Sequence, residues 1–300
     1  MKMKLLFALL SVAVTLPAHA ALNVLACEPE WGALAQELGG DKVKVANATT
    51  ALQDPHRIEA RPSLIARARN AELLVCTGAE LEIGWLPILL RESGNSAIQP
   101  GQPGNFEATR YVPLLEKPQR LDRSEGDVHA AGNPHIQTDP RNIALVADAL
   151  SKTLATVDAA NAAYYQARYA EFKTRWTAAI GRWEAQAAPL KGTAIVVQHK
   201  AYPYLENWLG LKEVAALEPK PGVEPSVASL TAVLTKLKVT PAKMVIRSAY
   251  NDSRASEWLA QRAGIPAVEL PFTVGGTPEA SDLYGLYGDT VNRLLKATKP

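Results

Sequence analysis

Histidine is scarce in this sequence, and its positions carry the first chemical signal. Of five histidines one, His19, falls in the amino-terminal leader, which leaves His56, His129, His135 and His199. His56 closes the run Gln53-Asp54-Pro55-His56, His135 closes Gly132-Asn133-Pro134-His135, and His199 follows the apolar run Ala194-Ile195-Val196-Val197-Gln198. Three of the four therefore stand at a strand end or in a loop whose path a proline restricts. Neutral imidazole is the commonest protein ligand for zinc, and ligands far apart in sequence can converge where loops meet. One such histidine alone reads as an ordinary polar loop residue; three in equivalent positions read as a metal site.

Bringing three loops to one place demands a scaffold with its strand ends aligned. Short apolar runs alternate with helical patterns, the signature of βαβ units and a mainly parallel sheet. In the first half strands are expected at 22–27, 43–46 and 72–77 and helices at 31–38, 63–70 and 83–91, punctuated by Gly39-Gly40 and Gly78. Residues 95–140 are rich in Gly, Pro, Asn and Asp, and only 110–115 reads as a strand. A helical pattern then runs to about Leu190, broken near Val157-Asp158, where the aspartate is placed to cap a helix over 158–188, about 45 Å long. The second half repeats the grammar: strands at 193–198, 213–217, 243–248 and 267–272, helices at 203–209, 226–237 and 253–263, and a terminal helix from about 279 to 296. The expected fold class is α/β, with two lobes, each a mainly parallel sheet flanked by helices, bridged by one long rigid helix. The expected boundaries are 1–20 for a signal peptide, 21–157 for the first lobe, 158–190 for the linking helix and 191–300 for the second lobe. Folds of this kind bind ligands at the carboxyl ends of their strands, here a cleft shared by both lobes.

Composition narrows the function classes. The chain has 300 residues, 47% of them hydrophobic, and carries 32 Lys and Arg against 30 Asp and Glu. Its first residues pair Lys2 and Lys4 with an apolar run from Leu5 to Leu16 and end in Ala18-His19-Ala20. That is the pattern of a secretory signal peptide cleaved near Ala20, too short to span a bilayer. Without those two lysines the charges balance, so a nucleic-acid partner loses its electrostatic motive. No lipid-accepting cysteine follows the cleavage site, so a soluble periplasmic protein without a direct membrane anchor is expected. Only Cys27 and Cys76 are present, which permits one disulfide in an oxidising compartment and lacks the clustered spacing of a structural zinc site.

Four motifs in order then resemble a known family, the solute-binding proteins of zinc and manganese ABC importers known as cluster A-I. Asp54-Pro55-His56 followed by Ala60-Arg61-Pro62-Ser63 looks like its first ligand motif, and Asn133-Pro134-His135 followed by Thr138-Asp139-Pro140 is similar to its second. His199-Lys200-Ala201-Tyr202 with Tyr204 resembles the third, and Glu224-Pro225-Ser226 matches a recurring helix start in the second lobe. The resemblance covers essentially the whole chain beyond the leader. It implies capture of a divalent metal in the periplasm and delivery to the permease and ATPase of an ABC importer, by a protein expected to be a monomer. His56, His135 and His199 are its implied metal ligands, with Zn(II) as the transported ion. Three imidazoles and at most one oxygen suit Zn(II) better than Mn(II), which prefers carboxylates.

The departures from the family pattern matter equally. An aspartate often follows the last strand of the second lobe, but here that stretch reads Leu270-Pro271-Phe272-Thr273-Val274-Gly275-Gly276, with Val274 nearest the expected place. Glu28, Glu80, Asp252, Glu279, Asp282, His129 and water all remain candidates for a fourth ligand, and the sequence does not choose among them. The His- and acid-rich loop common in the family is reduced to Asp122, Glu125, Asp127 and His129, and His129 reads as a solvated loop residue. Asp54 and Asp139 lie close enough to orient a ligand ring or, equally, to cap a turn. Three histidines with water also describe a zinc hydrolase, the alternative reading, although no HExxH motif or general-base constellation accompanies them. Finally, Cys27 and Cys76 fall at the ends of the first and third strands, neighbours in a flavodoxin-like order, so a bridge between them is expected.

Overall fold

The computed structural model describes residues 20–118 and 126–299. Strands β1 (Leu22–Ala26), β2 (Val43–Asn47), β3 (Leu73–Cys76) and β4 (Asn105–Glu107) form one sheet in the order β2-β1-β3-β4. Strands β5 (Ala194–Val197), β6 (Lys212–Ala216), β7 (Met244–Ser248) and β8 (Ala267–Leu270) form a second in the order β6-β5-β7-β8. Every pairing is parallel. Parallel strands covered on both faces need apolar side chains on both, which is why β3, Leu-Leu-Val-Cys, is buried at every position.

The helices follow from equally local signals. Helices α1 (Pro29–Gly39), α2 (Pro62–Arg69), α4 (Pro140–Val157) and α6 (Pro203–Leu209) each open on a proline, and α3 (Leu86–Ser93) has one at its second residue. At those positions the missing N–H costs nothing and the fixed φ suits a helix. The remaining helices are α5 (Ala162–Ala187), α7 (Val227–Leu237), α8 (Arg254–Ala263) and α9 (Leu283–Thr298). Ser226 starts α7 with a capping box, its hydroxyl accepting from the Ser229 N–H. The 26 residues of α5, about 39 Å at 1.5 Å each, bury Tyr165, Phe172, Trp176, Ala179, Trp183 and Ala187 along one stripe. That stripe packs against α4 and α1 of the first lobe and α9 of the second. One hydrophobic core therefore runs through both lobes, with a smaller outer core on each.

Several expectations need correction. The sheet gains β4 at Asn105–Glu107 rather than at 110–115; Ala108–Tyr111 is a 3-10 turn. Asp158 caps no helix backbone, because its carboxylate accepts the Tyr165 hydroxyl at 2.6 Å. The terminal helix starts at Leu283, where Asp282 accepts the Gly285 N–H at 2.7 Å, and α3 starts at Leu86 after a turn. The expected bridge is present: Cys27 and Cys76 are disulfide-bonded with Cα atoms 4.7 Å apart. It lies one step past the β1–β3 pair Ala26 and Val75, where the Cys27 N–H still bonds the Val75 carbonyl at 2.8 Å. Among the described residues no helix is long and apolar enough to cross a membrane. The leader up to residue 19, together with Asp122 and Glu125, lies outside the described residues.

Candidate metal centre

The structure brings His56, His135 and His199 together. Each offers one nitrogen, and the three nitrogens all lie within 4.8 Å of one another. Ring centroids are 5.4 Å apart for His56 and His135, 5.5 Å for His135 and His199, and 5.8 Å for His56 and His199. His56 comes from the loop between β2 and α2 and His135 from the segment before α4, while His199 stands two residues beyond β5. The first lobe thus supplies two imidazoles and the second lobe one.

Two of the rings, those of His56 and His199, are held by carboxylates, and His135 is held through its backbone. Asp54 Oδ1 accepts from His56 Nδ1 at 2.7 Å and from the His56 backbone N–H at 3.0 Å. With Nδ1 donating, the Nε2 lone pair is free, and His56 Nε2 is buried without a hydrogen-bond partner. Trp85 Nε1 fixes the same loop by donating to the Pro55 carbonyl at 2.8 Å. Residue 84 is glycine beside it because a Cβ there stands 2.9 Å from the His56 carbonyl oxygen.

His199 repeats the arrangement in the second lobe. Glu218 Oε2 accepts its Nδ1–H at 2.7 Å and the Gly222 N–H at 2.8 Å. Gly222 has φ +74° and no room for a Cβ, which would overlap the Asp127 carboxylate, so only glycine closes this turn. His135 is anchored through its backbone instead: its N–H donates to Asn133 Oδ1 at 3.0 Å. Asn133 in turn donates to the Lys200 carbonyl at 2.9 Å, and its own carbonyl accepts the Tyr204 hydroxyl at 2.7 Å. These bonds tie the His135 loop of one lobe to α6 and the His199 loop of the other. The Phe272 ring stands edge-on to His135 at 5.5 Å as an apolar wall of the centre.

Electrostatics favours the form that a metal requires. Burial pushes the His135 imidazole well below its ordinary pKa, and the nearby His56, His199 and His129 add to the effect. Burial, then His56, brings His129 down to about 4. Burial pushes the Asp54 carboxyl up, but its hydrogen bond to His56 and the imidazole's charge outweigh this and hold it below the ordinary carboxylate value. Neutral imidazoles backed by carboxylates are the protonation state in which nitrogen binds a cation. A cavity of about 240 Å³ opens beside them, lined by His129, His135 and His199 with Asp127, Glu116 and Lys200 at its polar walls.

The carboxylates considered for a fourth position are engaged elsewhere. Asp252 is exposed and pairs with Arg254, Glu279 pairs with Arg293 at 3.1 Å, and Asp282 caps α9. Glu28 is buried and accepts from Thr77 Oγ1 at 2.9 Å, and Glu80 accepts the Ala130 N–H at 3.2 Å. Asp139 caps α4 and pairs with Arg141, so of the two aspartates singled out only Asp54 orients a ring. His129 is half-buried, with its ring 5.4 Å from that of His56, rather than solvated. The sequence reading missed Glu218 and Trp85, neither of which carries a local sequence signal. Among the described residues the one other cluster of potential ligands is Cys27, Cys76 and Glu82, whose sulfurs the disulfide consumes.

Known proteins share both sequence and fold with this chain. The family model for the periplasmic zinc-uptake complex component A, ZnuA, matches residues 24–297. The chain is 25% identical over 318 residues to the high-affinity zinc uptake system protein ZnuA of Paracoccus denitrificans, an alignment covering 94% of this chain and 92% of that one. It is 24% identical over 250 residues to the protein of the same name from Bacillus subtilis, covering 82% and 76%. Its fold superposes on the crystal structure of a ZnuA deletion mutant lacking 138–173 with zinc bound, at TM-score 0.74 and 24% identity, covering 93% of this chain and all of that one. This chain therefore belongs to the ZnuA family of periplasmic zinc-uptake components.

Proposed function

We propose that this protein captures Zn(II) in the periplasm with His56, His135 and His199 and delivers it to the permease and ATPase of an ABC importer. The observation that carries the reading is the convergence of three imidazoles from two lobes, two of them buried and His56 partly so, their nitrogens within 4.8 Å of each other. Nitrogen donors of this kind suit zinc, and among the described residues no carboxylate joins the three nitrogens within 4.8 Å, as a site for manganese would favour. Asp54 and Glu218, the acids in contact with the rings, are both occupied in orienting them, which leaves neither free to act as the general base of a hydrolase. A monomer released from its leader near Ala20, without a membrane anchor or catalytic activity, completes the reading. Replacing His56, His135 or His199 by alanine tests it, because each loss should weaken zinc binding at least tenfold, about 1.4 kcal/mol. The fold should survive, since the hydrophobic cores are built by residues other than the three histidines. Zinc bound by His199→Ala as tightly as by the parent contradicts the reading, because among the described residues no other histidine lies in the second lobe.

A further inference from the structure

The zinc reading leaves one imidazole beside the centre without a role. His129 lies in ring contact with His56 at 5.4 Å, the same separation as His56 and His135, and lines the same cavity as His135 and His199. Glu80 of a neighbouring turn accepts the N–H of the next residue, Ala130, and so sets this loop beside the centre.

The backbone that offers this acceptor is itself unusual. Gly78, Ala79 and Glu80 follow one another with φ of 82°, 50° and 66°. Left-handed conformations at two successive non-glycine residues are costly and persist only where the surroundings impose them. The surroundings are on hand: Cys76 is bridged to Cys27, Glu82 Oε1 accepts the Thr77 N–H at 2.8 Å, and Glu82 Oε2 accepts the Gly78 N–H at 3.1 Å. The turn so formed holds the histidine loop through Glu80, which accepts the Ala130 N–H at 3.2 Å. From the other lobe the Pro221 carbonyl accepts the Asp127 N–H at 2.9 Å. A histidine with no task would need none of this.

Resting on the zinc reading, we infer that His129 is the fourth metal ligand of this chain, closing the site as four imidazoles and excluding water. His129 stands outside the 4.8 Å triangle of the other three nitrogens, so a small approach of its loop accompanies metal capture. A donor set of four neutral nitrogens and no oxygen suits zinc and rejects the hard Mn(II) ion.

Cobalt(II) substitution tests the fourth position directly. The parent protein and His129→Ala are each loaded with Co(II), titrated with azide and followed by visible absorption; zinc affinity is measured in parallel by competition with a chromophoric chelator. The parent spectrum should be indifferent to azide. His129→Ala should respond to azide and bind zinc at least tenfold more weakly, and circular dichroism should show its fold intact because the change is at a loop surface. A parent spectrum that moves with azide, or a variant that binds zinc within twofold of the parent, overturns the inference while leaving the three-histidine centre standing. A parent that binds neither zinc nor cobalt sinks the zinc reading itself.

Discussion

At the scale of single residues the centre is a set of imidazoles, two of which, His56 and His199, have one nitrogen occupied by a carboxylate while His135 is anchored through its backbone. Asp54 does this for His56 and Glu218 for His199, and neither carboxylate faces the cation. Partners of this sort fix the ring tautomer and orientation, and their loss usually costs about 10–100-fold in metal affinity. Asp54→Ala and Glu218→Ala should each weaken zinc binding within that range, with Asp54→Asn milder because its amide oxygen still accepts the Nδ1–H. Chelator competition at constant pH is the measurement, and unchanged affinity in both alanine variants removes their assigned role. The histidines were legible in the sequence because proline and strand ends mark their positions. Glu218 was not, since a carboxylate after an apolar strand has no local signature and becomes a partner only once Gly222 turns the chain back onto it.

At the scale of elements, legibility followed burial. β1, β3, β5 and β7 read as short apolar runs because parallel strands under helices are covered on both faces. β4 did not, because Asn105-Phe106-Glu107 is three residues long with polar flanks and owes its place to pairing with Leu74, Val75 and Cys76. The apolar residues that drew attention to 110–115 instead pack on the main core, Val112 within it and Leu114 and Leu115 against it, and the Leu115 N–H donates to the Tyr204 hydroxyl at 3.0 Å. The disulfide belongs to this scale, as it joins the residue after β1 to the last residue of β3 across 49 residues. A closed loop of that size is worth about 2–4 kcal/mol through the entropy it removes from the unfolded chain. Replacing both cysteines by serine should lower the midpoint of denaturant unfolding by a corresponding amount, and a midpoint that stays put contradicts this.

At the scale of the whole molecule, two lobes share one core along α5, so they are built to meet at the metal rather than to swing apart. Zinc should therefore order loops without large domain closure, and a clear fall in radius of gyration by solution scattering on zinc addition would count against this. The lobes also meet at a buried carboxyl, Glu30, which accepts from Thr273 of the second lobe at 2.5 Å. Burial lifts Glu30 to about 7, with Glu82 facing it, itself lifted to about 7, and Glu28 beside both, raised by burial and by the charge of Glu82. A carboxyl raised in the folded state holds a proton that the unfolded chain has released, so its contribution is present at low pH and is lost as pH rises through 7. Glu30→Gln keeps the acceptor and removes the charge. In metal-free protein it should melt higher than the parent at pH 8, by about 3 °C or more, with the gap closing by pH 5; a gap that does not change with pH contradicts it. The central claim, that both lobes hold one zinc ion through histidine, is tested most directly by X-ray absorption on protein loaded with one equivalent of zinc. The expected spectrum shows a nitrogen shell at about 2.0–2.1 Å with outer-shell scattering from at least three imidazoles. A shell dominated by oxygen, or scattering from fewer than three imidazoles, would contradict it.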